Sequence, residues 1–100
     1  MALKIVWTEN AETHLEAILS YWSERNGSSL YSQKLYNMFQ KELDVLTRYP
    51  EAGAKTSNDL IRKKTVRDYF VYYNFDDKVL TVLGLVDMRR NPKFINTFEK

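Results

Sequence analysis

Cysteine is absent from the 100 residues, which excludes a disulfide framework and a thiolate metal site and is compatible with a reducing compartment. Glycine occurs three times, at Gly27, Gly53 and Gly84, too dispersed to build a loop that cradles phosphate. Histidine occurs once. With no second histidine and no carboxylate pair at ligand spacing, the chain offers no metal centre, and neither metal nor cofactor is expected. His14 itself reads as a polar-face helix residue remote from the basic residues. No apolar run approaches the roughly 20 residues that span a bilayer. The start, Met1 to Trp7, is broken by Lys4 and followed at once by Thr8-Glu9-Asn10, which is not a signal-peptide layout. A cytoplasmic protein with no membrane partner is therefore expected.

What the chain does contain is ordinary for one folded domain: 44% hydrophobic and 28% charged residues, above the range of disordered chains. One hundred residues can bury roughly two-thirds of their unfolded surface around one core, so residues 1–100 are expected to form a single domain. The net charge is only +2, yet it is unevenly spread. From Lys55 to Lys93 nine basic residues face five acidic ones, whereas the rest of the chain has six against eight. Such asymmetry suits an anionic partner, and equally suits strand edges kept soluble by lysine and arginine.

The periodicity predicts an α+β fold. Leu3 to Trp7 reads as a strand, and Thr8 caps a helix whose first turn holds Glu9 and Glu12. Ala11, Leu15, Ile18, Leu19 and Trp22 form one stripe of that helix. Arg25-Asn26-Gly27-Ser28-Ser29 ends it and starts a second helix from about Leu30 to Tyr49, striped by Leu35, Met38, Phe39, Leu43 or Glu42, and Leu46, before Pro50. Residues 51–58 read as a surface connector. The period then becomes two, with Tyr69, Val71, Tyr73 and Phe75 on one face and Phe70, Tyr72 and Asn74 on the other. A strand near Leu60 to Val66, this strand, and a third from Val79 to Val86 after an Asp76-Asp77 turn give a three-stranded antiparallel meander. The antiparallel helical hairpin should cover one face of this sheet.

The order of elements resembles the RelE/ParE toxin superfamily over nearly the whole chain. The resemblance rests on Trp7-Thr8 and Ala11 entering the first helix, on Tyr21, on Leu46 to Pro50 with Gly53, and on Arg67 followed by Tyr69 to Tyr73. It rests most on Val86-Asp87-Met88-Arg89-Arg90-Asn91-Pro92, which is similar to the family's arginine-plus-proline ending. The resemblance implies the toxin of a bacterial type II toxin–antitoxin system, associated with growth inhibition and plasmid stabilisation. A cognate antitoxin would neutralise it, and operator DNA would be bound only through that antitoxin. Two actions are implied for such folds: inhibition of DNA gyrase by binding, and ribosome-dependent cleavage of mRNA.

A metal-independent ribonuclease needs cations for the developing charge and a proton donor for the leaving oxygen. Arg67 and Arg89 are the candidates for catalytic cations. Lys63, Lys64, Arg89, Arg90 and Lys93 are candidates for contact with a target or nucleic acid, since a guanidinium grips phosphate with two parallel bonds. The strand pattern is expected to gather these cations into one electropositive patch on the sheet face away from the helices. Ribonuclease relatives carry a tyrosine beyond the last arginine, where this chain has Phe94 and Ile95, so the resemblance leans to the gyrase-inhibiting ParE-like branch. Tyr69, Tyr72 and Tyr73 are expected to pack in the sheet with hydroxyls reaching its edge. Trp22, the turn near Asn26 and Arg89 to Lys93 are places for target contact. The apolar tail residues Phe94, Ile95 and Phe98 either fold back as core or dock an antitoxin segment, expected to be acidic or amphipathic. A degenerate toxin kept as an antitoxin-binding regulator is the remaining alternative.

Overall fold

The computed structural model describes residues 2–89 and 98–99. Its elements are β1 (Lys4–Trp7), α1 (Glu9–Asn26), α2 (Leu30–Arg48), a 3₁₀ turn at Pro50–Ala52, β2 (Ala54–Lys55), β3 (Arg62–Val66), β4 (Tyr69–Phe75) and β5 (Val79–Asp87). The expected strand, helical hairpin and meander are all present, and the connector contributes a two-residue strand that the sequence pattern did not reveal. The sheet is mixed, in the order β1-β5-β4-β3-β2. β1 runs parallel to β5, and the remaining pairs are antiparallel.

Local chemistry sets the boundaries. Thr8 is extended at ψ 161°, and its hydroxyl oxygen accepts the Ala11 N–H at 3.1 Å, which caps α1. The same hydroxyl donates to the Leu83 carbonyl at 3.2 Å, so the cap also fastens the helix to β5. Gly27 ends α1 in the left-handed region at φ 64°, a conformation cheap only without a β-carbon. Inside the hairpin the Ser32 hydroxyl donates to the Leu19 carbonyl at 2.7 Å and lies 2.8 Å from the Ser23 hydroxyl. Since Ser32 spends its proton on Leu19, Ser23 is the donor to Ser32, and the two helices are clasped by a satisfied polar pair.

The core lies between the hairpin and the sheet. Leu35, Phe39, Leu43 and Leu46 of α2 meet Tyr69, Val71, Tyr73, Leu80, Val82 and Leu85. Each such fully buried aliphatic or aromatic side chain contributes about 1.5–3 kcal/mol relative to exposure. The strict alternation of β4 holds, but β5 carries a register shift: Tyr72 pairs with Gly84 and Tyr73 with Val82, leaving Leu83 as the extra residue. This bulge keeps both Leu80-Val82 and Leu85 on the helix side. The striping of α2 is as expected, whereas only Ala11 of the α1 stripe is fully buried. The reason is position. β1 covers β5 only as far as Val82, and α1 runs on along the uncovered edge rather than over the middle of the sheet.

Candidate functional site

Beyond the end of β1, the edge of β5 is met by α1 side chains. His14 Nδ1 accepts the Leu85 N–H at 3.2 Å, so the neutral ring carries its proton on Nε2. Burial lowers the His14 pKa below its ordinary 6.5, which favours this uncharged acceptor form. His14 is thus half-buried against the sheet, not out on a polar helix face. Local pattern carries no sign of this, because the partner is a backbone amide 71 residues away.

Between α1 and the C-terminal half of β5 runs a groove of about 710 Å³. Ala17, Ile18, Tyr21, Leu85, Val86 and Phe98 supply apolar walls, while Asn10, His14, Asp87 and Arg89 supply polar groups. Tyr69 lies on its floor, and its hydroxyl accepts the Trp22 indole N–H at 2.8 Å. Burial raises the Tyr69 pKa, with the indole bond working in the opposite direction.

Among the described residues the predicted cations Lys63, Lys64, Arg67 and Arg89 are distributed around the sheet and do not form one patch. Lys63 and Lys64, being adjacent in β3, face opposite sides. Lys63 lies on the outer face, where Nζ donates to both Glu99 carboxylate oxygens at 3.2 and 3.1 Å and sits 4.4 Å from the Phe70 ring centroid. Lys64 lies toward the helices, 3.9 Å from the Glu42 carboxylate. Arg67 is at the exposed β3–β4 turn. Arg89 is paired with Asp87 through Nε and Nη2, both at 3.1 Å, and lies 3.9 Å from Asp68. The Asp87 bonds raise its pKa above the ordinary arginine value. Strand alternation puts the adjacent Lys63 and Lys64 on opposite faces, which is incompatible with the single patch expected. The acids that hold them come from α2 and the chain end, and local pattern does not supply those. Arg90, Lys93, Phe94 and Ile95 lie outside the described residues.

The outer face is closed by the last described residues. The Phe98 ring stacks on Tyr72 with centroids 4.7 Å apart and planes at 18°. The Tyr72 hydroxyl donates to Glu99 at 2.6 Å. Burial, then the neighbouring carboxylate, drives the Tyr72 pKa far upward. Burial alone would raise the Glu99 pKa, but the Tyr72 hydroxyl and the Lys63 ammonium outweigh it and leave the carboxyl below its ordinary value. Of the two roles expected for Phe98, it takes the first and covers the sheet, while also forming one wall of the groove. Tyr73 is equally committed, donating to the Pro50 carbonyl at 2.6 Å and accepting the Gly53 N–H at 3.0 Å. All three tyrosines are buried in the sheet, and their hydroxyls are bonded.

The site thus sits on an α-helical hairpin packed on one face of a mixed five-stranded sheet, with an apolar groove beside the last strand. The family model for the ParE toxin of the type II toxin–antitoxin system parDE matches residues 5–92, and the chain belongs to that family. Among solved structures, one titled the chromosomal ParDE toxin–antitoxin system from P. aeruginosa has a similar fold. Its TM-score is 0.71 at 17% identity, over 86% of this chain and 96% of that one. No curated protein matches the sequence. The protein is a type II toxin–antitoxin system toxin. Among the described residues no helix is long and apolar enough to cross a membrane.

Proposed function

We propose that this toxin arrests growth by binding DNA gyrase, and that an antitoxin neutralises it by laying an amphipathic segment in the groove between α1 and β5. The observation that carries the first part is the state of the groups a ribonuclease would use. Lys63 grips Glu99, Lys64 faces Glu42, and Arg89 holds Asp87. The Tyr72 and Tyr73 hydroxyls are spent on Glu99 and Pro50, and burial drives both further from titration. General acid–base cleavage needs a proton donor within hydrogen-bond reach of the reacting oxygen as well as a cation to meet the phosphate. Arg67 is exposed and could serve as the cation, but the Tyr72 and Tyr73 hydroxyls are committed elsewhere as donors. Inhibition by binding needs only a surface. For the antitoxin, the groove offers apolar walls with polar groups at its rim, the arrangement that receives an amphipathic helix.

Purified toxin added to gyrase and relaxed plasmid tests the target. Supercoiling should fall with toxin concentration and recover on adding a cognate antitoxin. After induction, transcript 5′ ends should be unchanged. New ends inside coding regions, with supercoiling intact, would replace this reading with ribosome-dependent mRNA cleavage. Expression that is harmless without the antitoxin would instead indicate a retained regulator.

A further inference from the structure

The connection between β3 and β4 is two residues long, because Val66 pairs directly with Tyr69. Such tight hairpins follow the twist of their strands when the first central residue takes positive φ, a position that glycine fills without penalty. Here Arg67 takes it, at φ 56°, and among the described residues it is the only non-glycine residue at positive φ. A β-carbon in the left-handed region collides with the neighbouring carbonyl oxygen, so this backbone is strained. The surroundings hold it in place. Val66 and Tyr69 are buried on either side, and the Asp68 carbonyl accepts the Met88 N–H at 2.8 Å, tying the turn to the end of β5.

The strain sets an exposed guanidinium at the tip of the hairpin. Its charge is unlike that of the other sheet arginines. Arg62 donates to the Glu51 and Gly53 carbonyls at 3.1 and 2.9 Å, and Arg89 is held by Asp87. Arg67 makes no side-chain hydrogen bond or ion pair among the described residues. Even the adjacent Asp68 carboxylate stands beside Arg89. The turn also adjoins the groove, since Tyr69 follows it and Asp87 and Arg89, next to its anchor Met88, line the groove.

We infer that Arg67 is a target-contact residue, an exposed guanidinium on a strained backbone that closes on an anionic oxygen pair of gyrase or of the DNA gyrase holds. The inference rests on the gyrase reading above. An arginine fork meets a carboxylate or a phosphate with two parallel bonds, and this one has no ion pair among the described residues to break beforehand. The role differs from the catalytic one expected from the sequence: the residue touches the target and moves no proton.

The test compares wild type, Arg67→Gly and Arg67→Lys in gyrase supercoiling, with thermal melting of each. Glycine relieves the backbone, so the melting midpoint of Arg67→Gly should equal or exceed that of wild type. Its half-inhibiting concentration should nevertheless rise roughly ten- to a hundredfold, the usual effect of losing a charge-assisted pair. Arg67→Lys, which keeps the charge without the fork, should fall between them. Capture of gyrase on immobilised toxin, with and without DNA, identifies the source of the anion. A deficit in Arg67→Gly without DNA indicates a gyrase carboxylate, and one that needs DNA indicates a phosphate. Wild-type inhibition matched by Arg67→Gly overturns this inference alone. A midpoint well below wild type overturns the claim of strain. Wild type that leaves supercoiling intact overturns the gyrase reading and this inference with it.

Discussion

Glu99 is held by two donors of different character, a phenol and an ammonium, over a floor that Gly84 keeps flat. A β-carbon on Gly84 would lie 2.3 Å from Phe98 Cζ and 3.1 Å from His14 Nδ1, so Gly84→Ala must push the Phe98 ring off Tyr72 or bend β5. We expect a loss of about 1–3 kcal/mol in urea unfolding, the usual cost of overpacking. Tyr72→Phe keeps the stack and removes one bond to the carboxylate, and it should cost about 1 kcal/mol at neutral pH. The pH dependence has a definite sign. Glu99 is lowered from its ordinary 4.5 in the folded state, so its contribution is complete above that value and is lost as pH falls through the folded pKa. Melting midpoints of wild type and Tyr72→Phe, well separated at neutral pH, should therefore converge below pH 4.5.

At the level of elements, the seam between α1 and β5 holds the molecule together where no strand does. Thr8 caps α1 and reaches Leu83; its replacement by alanine should cost about 1–2 kcal/mol, read by chemical denaturation. His14 continues the seam nearly two turns later, accepting the Leu85 N–H that a neighbouring strand would otherwise take. Its folded pKa lies below 6.5, so the unfolded chain binds the proton more readily. Stability from this contact is complete above pH 6.5 and declines as pH falls through the folded pKa. Wild type should lose melting temperature between about pH 7.5 and about pH 5.5, with faster exchange of the Leu85 amide, while His14→Gln should be flatter over that interval. The helices were legible because α2 shows a clean 3.6-residue stripe and its stops are explicit. The β-bulge was not, since Val79 to Val86 is apolar on both faces and gives no period to break. β2 was not either, because two residues carry no alternation.

For the whole molecule, the groove and the Arg67 turn adjoin at the same end of the sheet, with Arg67 itself outside the groove lining. Ala17 is a small, exposed groove residue, so Ala17→Arg fills the groove without disturbing the core. Affinity for the antitoxin should drop roughly ten- to a hundredfold, as when an interface core is blocked, whereas gyrase inhibition should persist. Titration calorimetry with the antitoxin and a supercoiling assay on the same variant would check both halves. Equal loss of both would mean that target and antitoxin share one surface.

The residue pattern by itself determined the α+β class, the order of helices and strands, the two faces of β4 and the likeness to RelE/ParE toxins, since periods of 3.6 and two are written locally along the chain. Only tertiary structure decided where the charges went. Lys63 met Glu99 across 36 residues and Lys64 met Glu42 of α2, so two neighbours in sequence were held by acids on opposite faces of the sheet. Coulombic partners depend on which strands lie side by side and which elements cover each face, and those are properties of the packed molecule.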